Sequence, residues 1–238
     1  MTETEGLITC ISCGELGNGK HCNRCGQAYV VNRITLQSIS HEVFHFFTHL
    51  DKGFPFTLKK LITSPGAMQR EYIAGNRSRH QKPFSMFFIC ATISALMIYW
   101  INMALINYYD AGDQSEAQFF NRYWVLLQIV MLPVYSFITW LFFRRSGYNF
   151  AEIIVFQLYI FSVLFLVVAS THLIKFLIPS FQTRYIELPL IILYTMFANI
   201  RFFTNEKRGI VIIKGILAIG LNFAIASTVQ DFLEKIVN

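Results

Sequence analysis

The sequence predicts an all-α polytopic membrane protein, with about five transmembrane helices preceded by amphipathic helices and a small cysteine-rich head. Three observations predict it. Of 238 residues, 54% are hydrophobic and 14% charged, against roughly a quarter charged in an ordinary soluble domain. Mean hydropathy is +0.45, and the apolar residues collect in runs long enough to cross a bilayer. Four of the five cysteines fall within the first 25 residues. A disordered chain is excluded, because it needs low hydrophobicity and high charge. The pattern divides the chain into a ribbon at 1–29, a cytoplasmic helical collar at 30–83 and a transmembrane bundle at 84–238.

The head comes first. Cys10 and Cys13 form one Cys-x-x-Cys turn, Cys22 and Cys25 a second, with eight residues between them. Two such turns aim four thiolates at one point, the closed tetrahedral set of a structural Zn2+ site. Gly14 and Gly26 each follow the second cysteine of a pair, where a positive φ costs glycine little. The residues Gly17, Asn18 and Gly19 supply a hairpin turn. A disulfide pair would fit an extracytoplasmic compartment, and a redox pair would need a βαβ context that the sequence lacks. The matched spacing favours a zinc ribbon. A stub of this length has no core of its own, so the metal is expected to hold it together. Cys90, in an apolar run, reads as a buried, inert thiol.

Residues 33–75 carry the collar. Leu36, Ile39, Val43, Phe46, Phe47 and Leu50 share one side of a helix at 100° per residue. After Asp51, Lys52 and Gly53 a second amphipathic piece runs from Phe54 to Ile62. Ser64 followed by Pro65 then reads as the start of a third helix that ends at Gly75. Helices with Phe-rich faces and Lys/Arg flanks, leading into a crossing, suit a membrane interface; a small packed subdomain is the other reading. Gly53, between two helices, is expected to take a positive φ, and Asp51 to cap the following turn. Arg77, Arg79 and Lys82 fall where the chain meets the head groups. Asp51, Gly53, Arg77, Arg79 and Lys82 are therefore the candidates for lipid or partner binding.

The apolar runs follow: Phe84–Ile106, Trp124–Phe143, Ile153–Leu173, Ile186–Phe203 and Ile210–Val229. The fourth is short, with Pro189 expected in its first turn. Lys214 is placed to snorkel near one end of the last. Alternate connections carry the Lys/Arg excess, which places the N-terminus in the cytoplasm and, after five crossings, the C-terminus outside. The first residues are polar, with no secretory signal pattern. Within the runs Asn102, Gln128, Gln157, Asn199 and Asn222 are neutral amides, read as interhelical hydrogen-bonding groups. Few intramembrane charges lower the expectation of an ion-coupled carrier. Gly220 and Ala224 form a small-residue face through which the last helix can oligomerise.

One stretch carries a catalytic pattern. His41, Glu42 and His45 match H-E-x-x-H, in which two histidines bind zinc and the glutamate is the general base. On a helical wheel His41, His45 and His49 project opposite the Leu36/Val43/Phe47 face. A catalytic zinc also needs a third protein ligand, and the spacing selects neither Glu71 nor His80 for it.

Together these residues resemble a bacterial family of membrane proteins, domain of unknown function 3667. The matching stretches are Cys22–Gln27, Thr48–Phe54, Phe56–Lys59, Pro65 with Gly66, Glu71–Arg77, and Pro83 at the membrane entry. The likeness covers residues 10–84 and is architectural beyond them. Asn76 departs from the basic residue members usually show there, and the pattern does not require a glutamate at position 42. The resemblance implies a ribbon, a collar and membrane helices; the family has no assigned activity. The expected protein is a non-enzymatic multi-pass inner-membrane protein that engages the lipid bilayer or a cytoplasmic protein partner, and no nucleic acid. A transporter or channel for a small or lipidic solute, and a metallohydrolase, are the alternatives.

Overall fold

The computed structural model describes residues 7–39, 53–109 and 114–237. Two short antiparallel strands, β1 (Ile8–Thr9) and β2 (Leu16–Gly17), open the chain, with Ile8 opposite Gly17. A bridge between His21 and Ala28 closes the second cysteine turn. The helices follow as α1 (Phe54–Thr63), α2 (Ala67–Ile73), α3 (Pro83–Tyr109), α4 (Gln114–Phe142), α5 (Phe150–His172), α6 (Arg184–Phe202) and α7 (Arg208–Val237). Residues 36–39 are also helical.

Among the described residues, four helices are long and apolar enough to cross a membrane: Pro83–Asn107, Phe150–Phe176, Arg184–Phe202 and Arg208–Val229. The expected second crossing appears as the shorter apolar stretch Leu127–Phe142, the second half of a 29-residue helix. At 1.5 Å per residue that helix is about 43 Å long. Its Pro133 lies inside the helix.

Helix α5 is the hub. It packs on α3, α4 and α6 and receives α1 and α2 at one end. Tyr159, Phe156, Leu158 and Ile153 on it are fully buried. Helices α6 and α7 instead leave many apolar side chains exposed, among them Leu193, Ile213 and Phe223. Gly220 and Ala224 lie on this outer side, and among the described residues no other element comes within 4 Å of a Cβ placed on Gly220. The inward face of α7 is built from Val211, Gly215 and Ala218.

The collar is not a separate globule. Leu61, Met68, Tyr72 and Ile73 of α1 and α2 share one buried cluster with Phe87, Tyr159, Phe202 and Ile34. Cross-links show which ends meet. Tyr159 donates to the Gln81 carbonyl at 2.6 Å, Arg70 donates to Thr204 at 2.7 Å, and Asn205 donates to the Ser146 carbonyl. The collar, the 143–149 connection and the 203–207 connection therefore occupy one end of the bundle. There Phe143 stacks on Phe203 at 3.8 Å and Phe156 on Phe202 at 4.1 Å. This aromatic floor ties the ends of α4 and α6 to the start of α5.

Three local expectations are corrected. The third collar helix does not start at Ser64 and Pro65: Ser64 terminates α1, and Gly66 caps α2 with φ 76°. A Cβ on Gly66 would meet the Phe202 backbone nitrogen at 2.7 Å, so α2 seats directly on the α6 backbone. Gly75 does follow the end of that helix with a positive φ. Gly53 has φ −85°, so handedness does not select it. A Cβ there would lie 2.8 Å from the Arg79 carbonyl oxygen, and that close approach is what calls for glycine. Finally, Pro189 lies inside α6, which begins at Arg184. The first turn is held upstream because Glu187 accepts from Thr171 at 2.9 Å and lies 3.4 Å from His172, both on α5. Among the amides, Gln157 donates to Thr139 at 2.7 Å, the expected link between helices α5 and α4.

The start of α5 carries the strongest polar contact. Asn149 caps the helix by accepting from the Glu152 N–H at 2.8 Å, and Glu152 accepts from the Asn149 N–H at 2.8 Å. The same buried carboxylate takes a bidentate bond from Arg33 at 2.7 and 2.9 Å. Arg33 also donates to the Gly147 carbonyl at 2.7 Å, and Asn149 to the Ile34 carbonyl at 2.9 Å. Removing one partner of a buried pair costs about 3–5 kcal/mol. The Arg33 side chain is 59% exposed, so about 2 kcal/mol is the appropriate expectation. Arg33→Ala should lower the melting temperature of the detergent-solubilised chain, and Arg33→Lys should lower it less. A double-mutant cycle with Glu152→Gln should show coupling; additive effects would mean that the pair contributes nothing.

Candidate functional site

The four cysteines of the head converge as their spacing predicts. Their Sγ atoms all lie within 4.8 Å of one another, with Cys10–Cys25 and Cys13–Cys22 each at 3.5 Å. A tetrahedral metal with bonds of about 2.3 Å sets its sulfurs roughly 3.8 Å apart, so these four can hold a metal ion. All four are free thiols. The two turns share one local geometry: the Gly14 N–H donates to the Cys10 carbonyl and the Gly26 N–H to the Cys22 carbonyl. Gly14 and Gly26 take φ 77° and 73°, as expected.

The crowded sulfurs do not titrate alike. A backbone N–H from Glu15 favours ionisation of Cys13, but burial and the three neighbouring sulfurs push its thiol up to about 12. Burial opposes ionisation of Cys22, yet the N–H groups of Cys25 and Arg24 and the nearby sulfurs bring it down to about 6. The close sulfurs therefore shift one another's ionisation in opposite directions.

The amide of Gln27 fastens the head to the collar. The Gln27 Oε1 accepts from the N–H of Arg77 at 3.0 Å and of Ser78 at 2.8 Å. Ser12 meets Ser78 at 2.8 Å beside it. The next residues run along the collar: the Arg77 guanidinium donates to the Asn32 carbonyl at 3.1 Å and the Tyr72 carbonyl at 3.3 Å, and lies over the Tyr72 ring. The strap then reaches Arg33 and the Glu152 carboxylate. Ribbon, strap and collar form one continuous polar seam on the end of α5.

The other candidates distribute as follows. Gly53 packs against the Arg79–Gln81 backbone. Arg79 is exposed and Lys82 half-buried at the start of α3. Asp51, His41, Glu42 and His45 lie outside the described residues, so neither the expected Asp51 cap nor the H-E-x-x-H geometry is on view. His80, one proposed third ligand, is buried between Phe56 and Tyr72, at ring distances of 5.3 and 6.3 Å. Sequence reasoning singled out Arg77 but overlooked Gln27, Arg33 and Glu152 as its structural companions. Gln27 stood in the quoted ribbon motif; Glu152, a lone acid in an apolar run, was the available signal for a buried pair.

Fold and site thus define a helical protein with four apolar helices able to cross a membrane and a four-cysteine cluster able to hold a metal ion. Residues 51–95 match the family model described as Protein of unknown function (DUF3667), which supports the resemblance drawn from the sequence. That stretch spans α1, α2 and the first half of α3, including Arg77, whose N–H receives the ribbon. Comparison with curated proteins and with solved structures found no match.

The buried histidine gives the collar a pH dependence. Burial lowers the His80 pKa below its ordinary 6.5; Glu71 raises it and Lys60 lowers it further. The unfolded chain therefore takes up the proton first. Stability is complete above about pH 6.5 and falls as pH drops from there toward the folded-state value. Melting curves between pH 8 and 5 should show the loss, and His80→Gln should flatten it. An unchanged slope in that variant would assign the dependence elsewhere.

Proposed function

We propose that this chain is a non-enzymatic multi-pass protein of the bacterial cytoplasmic membrane, whose zinc-ribbon head and basic collar face the cytoplasm and engage a protein partner or the lipid surface. One observation carries the reading: the ribbon is bonded to the end of the bundle that gathers the cations. Arg70, Arg77, Arg79, Lys82, Arg144, Arg145, Lys207 and Arg208 all belong to that end, and the Lys/Arg excess marks the cytoplasmic side. A reducing cytosol keeps the thiols available for metal. Four sulfurs complete the shell of a zinc ion and leave no position for a reacting water, so the metal serves structure. The ribbon presents Ile8, Ile11 and Leu16 as exposed apolar side chains, and these suit a protein partner.

Three measurements test this. Elemental analysis of the full chain should find one zinc per molecule, lost when Cys10, Cys13, Cys22 and Cys25 are replaced by serine; no stoichiometric zinc would remove the head's assigned role. Gln27→Ala should keep the zinc but expose residues 28–33 to protease. Reporter fusions after Phe84, Ser146 and Lys207 should read as cytoplasmic, and those after Gly112, Thr183 and Asn238 as external. The reverse pattern would place the collar on the other face and overturn the reading.

A further inference from the structure

Beside the collar seam lies a pocket that none of the ribbon or strap residues enters. It is an open cavity of about 610 Å³ between the start of α2, the end of α6 and the start of α7. Three guanidinium groups border it, those of Arg70, Arg201 and Arg208, against one carboxylate, Glu206. That carboxylate is already paired: Lys214 donates to it at 2.6 and 2.9 Å. Among the described residues, none of the three arginines forms an ion pair with a carboxylate. Lys214 thus neutralises the lining acid, and among the described residues the arginine charge is left uncompensated.

The arginines are also positioned. Arg70 is anchored through its bond to the Thr204 hydroxyl, and the Arg201 guanidinium lies 4.5 Å over the Phe197 ring. Phe203, held by its stack on Phe143, forms part of the wall. Part of the wall is apolar, from Phe197 and Ile200, and Leu193, one turn before Phe197 on α6, is exposed. A cationic mouth above an apolar, outward-facing flank matches an amphiphile with an anionic head. Guanidinium groups bind phosphate oxygens in paired, planar hydrogen bonds.

We propose that Arg70, Arg201 and Arg208 form a binding site for a phosphate-bearing head group, the anionic phospholipid of the leaflet that meets the collar. This deepens the reading of the collar end as a lipid-engaging surface and rests on it. The site differs from the Arg77, Arg79 and Lys82 cluster, whose first member is occupied by the Asn32 and Tyr72 carbonyls.

The test uses the full chain in nanodiscs, which expose both faces, so a wrong orientation leaves its result intact. The probes are nanodiscs of phosphatidylcholine alone, nanodiscs containing phosphatidylglycerol, and inorganic phosphate added to the neutral discs. Lipid retained after detergent extraction is counted by native mass spectrometry, and melting temperature is read in parallel. Wild type should retain phosphatidylglycerol selectively and melt higher with it. Arg201→Gln/Arg208→Gln should lose about tenfold in retention, while Arg145→Gln, at the same end outside the pocket, should not. Arg201→Lys/Arg208→Lys keeps the charge and should keep part of the selectivity, which separates lost binding from lost folding. Stabilisation by inorganic phosphate alone, abolished in the glutamine variant, would identify a free phosphate compound as the source. Equal retention by wild type and the glutamine variant, with no phosphate response, overturns the proposal.

Discussion

The carboxylate of Glu152 is the constraint around which the collar end is arranged. It sits in the first turn of the most buried helix, where leaving an anion without partners would cost several kcal/mol. Its own helix start offers only part of the remedy: the Asn149 N–H and the cap. The rest comes from Arg33, more than a hundred residues earlier in the chain. A buried acid at this position therefore dictates where the strap behind the ribbon must run. With Arg33 fixed, Ile34 drops into the shared core and its carbonyl meets Asn149. The path of the head follows from the electrostatics of a membrane helix.

This seam changes how the basic residues are to be counted. Read as a row of charges, Arg77, Arg79 and Lys82 are equivalent topogenic or head-group-binding cations. In the fold they differ. Arg77 satisfies two carbonyls and covers a tyrosine ring, so its work is internal, whereas Arg79 is exposed. The cations free to meet a phosphate include Arg201 and Arg208, at the ends of two helices that present apolar flanks outward. A positive end can thus serve orientation, internal bonding and ligand binding through different arginines. Only their partners tell these roles apart.

Much of this was legible in the sequence. The paired cysteine turns, the trailing glycines, the amphipathic piece from Phe54 and four of the apolar runs depend on local spacing, and they appear where the spacing puts them. The failures share a physical cause. Gly53 was read from its own backbone, but the need for glycine arises from the Arg79 carbonyl packed against it. Ser64 and Pro65 carry a good helix-start signal, yet Gly66 wins because α2 must seat on the α6 backbone. Pro189 suits a first turn, but Glu187 is tethered to α5 and draws the helix start upstream. Gln27 and Glu152 were visible as letters, but their partners lie tens of residues away. Local chemistry is written in the sequence; contacts between distant elements are not.

The seam also bears on what a structural metal can do here. If the cysteines close on a metal, as proposed, the metal orders a stub too small for a core of its own, and the ordered stub presents Gln27 to the Arg77 and Ser78 N–H groups. Docking contacts that exist only in the metal-bound form must add to metal affinity, and metal must add to docking, by the same amount. The collar is thereby coupled to the head even though no sulfur touches it. The two attachments use different residues: Gln27 accepts from the Arg77 and Ser78 N–H groups, and Arg33 donates to the Glu152 carboxylate. If a metal orders the ribbon, only the first of them depends on it directly, because the second is made by the buried acid at the start of α5.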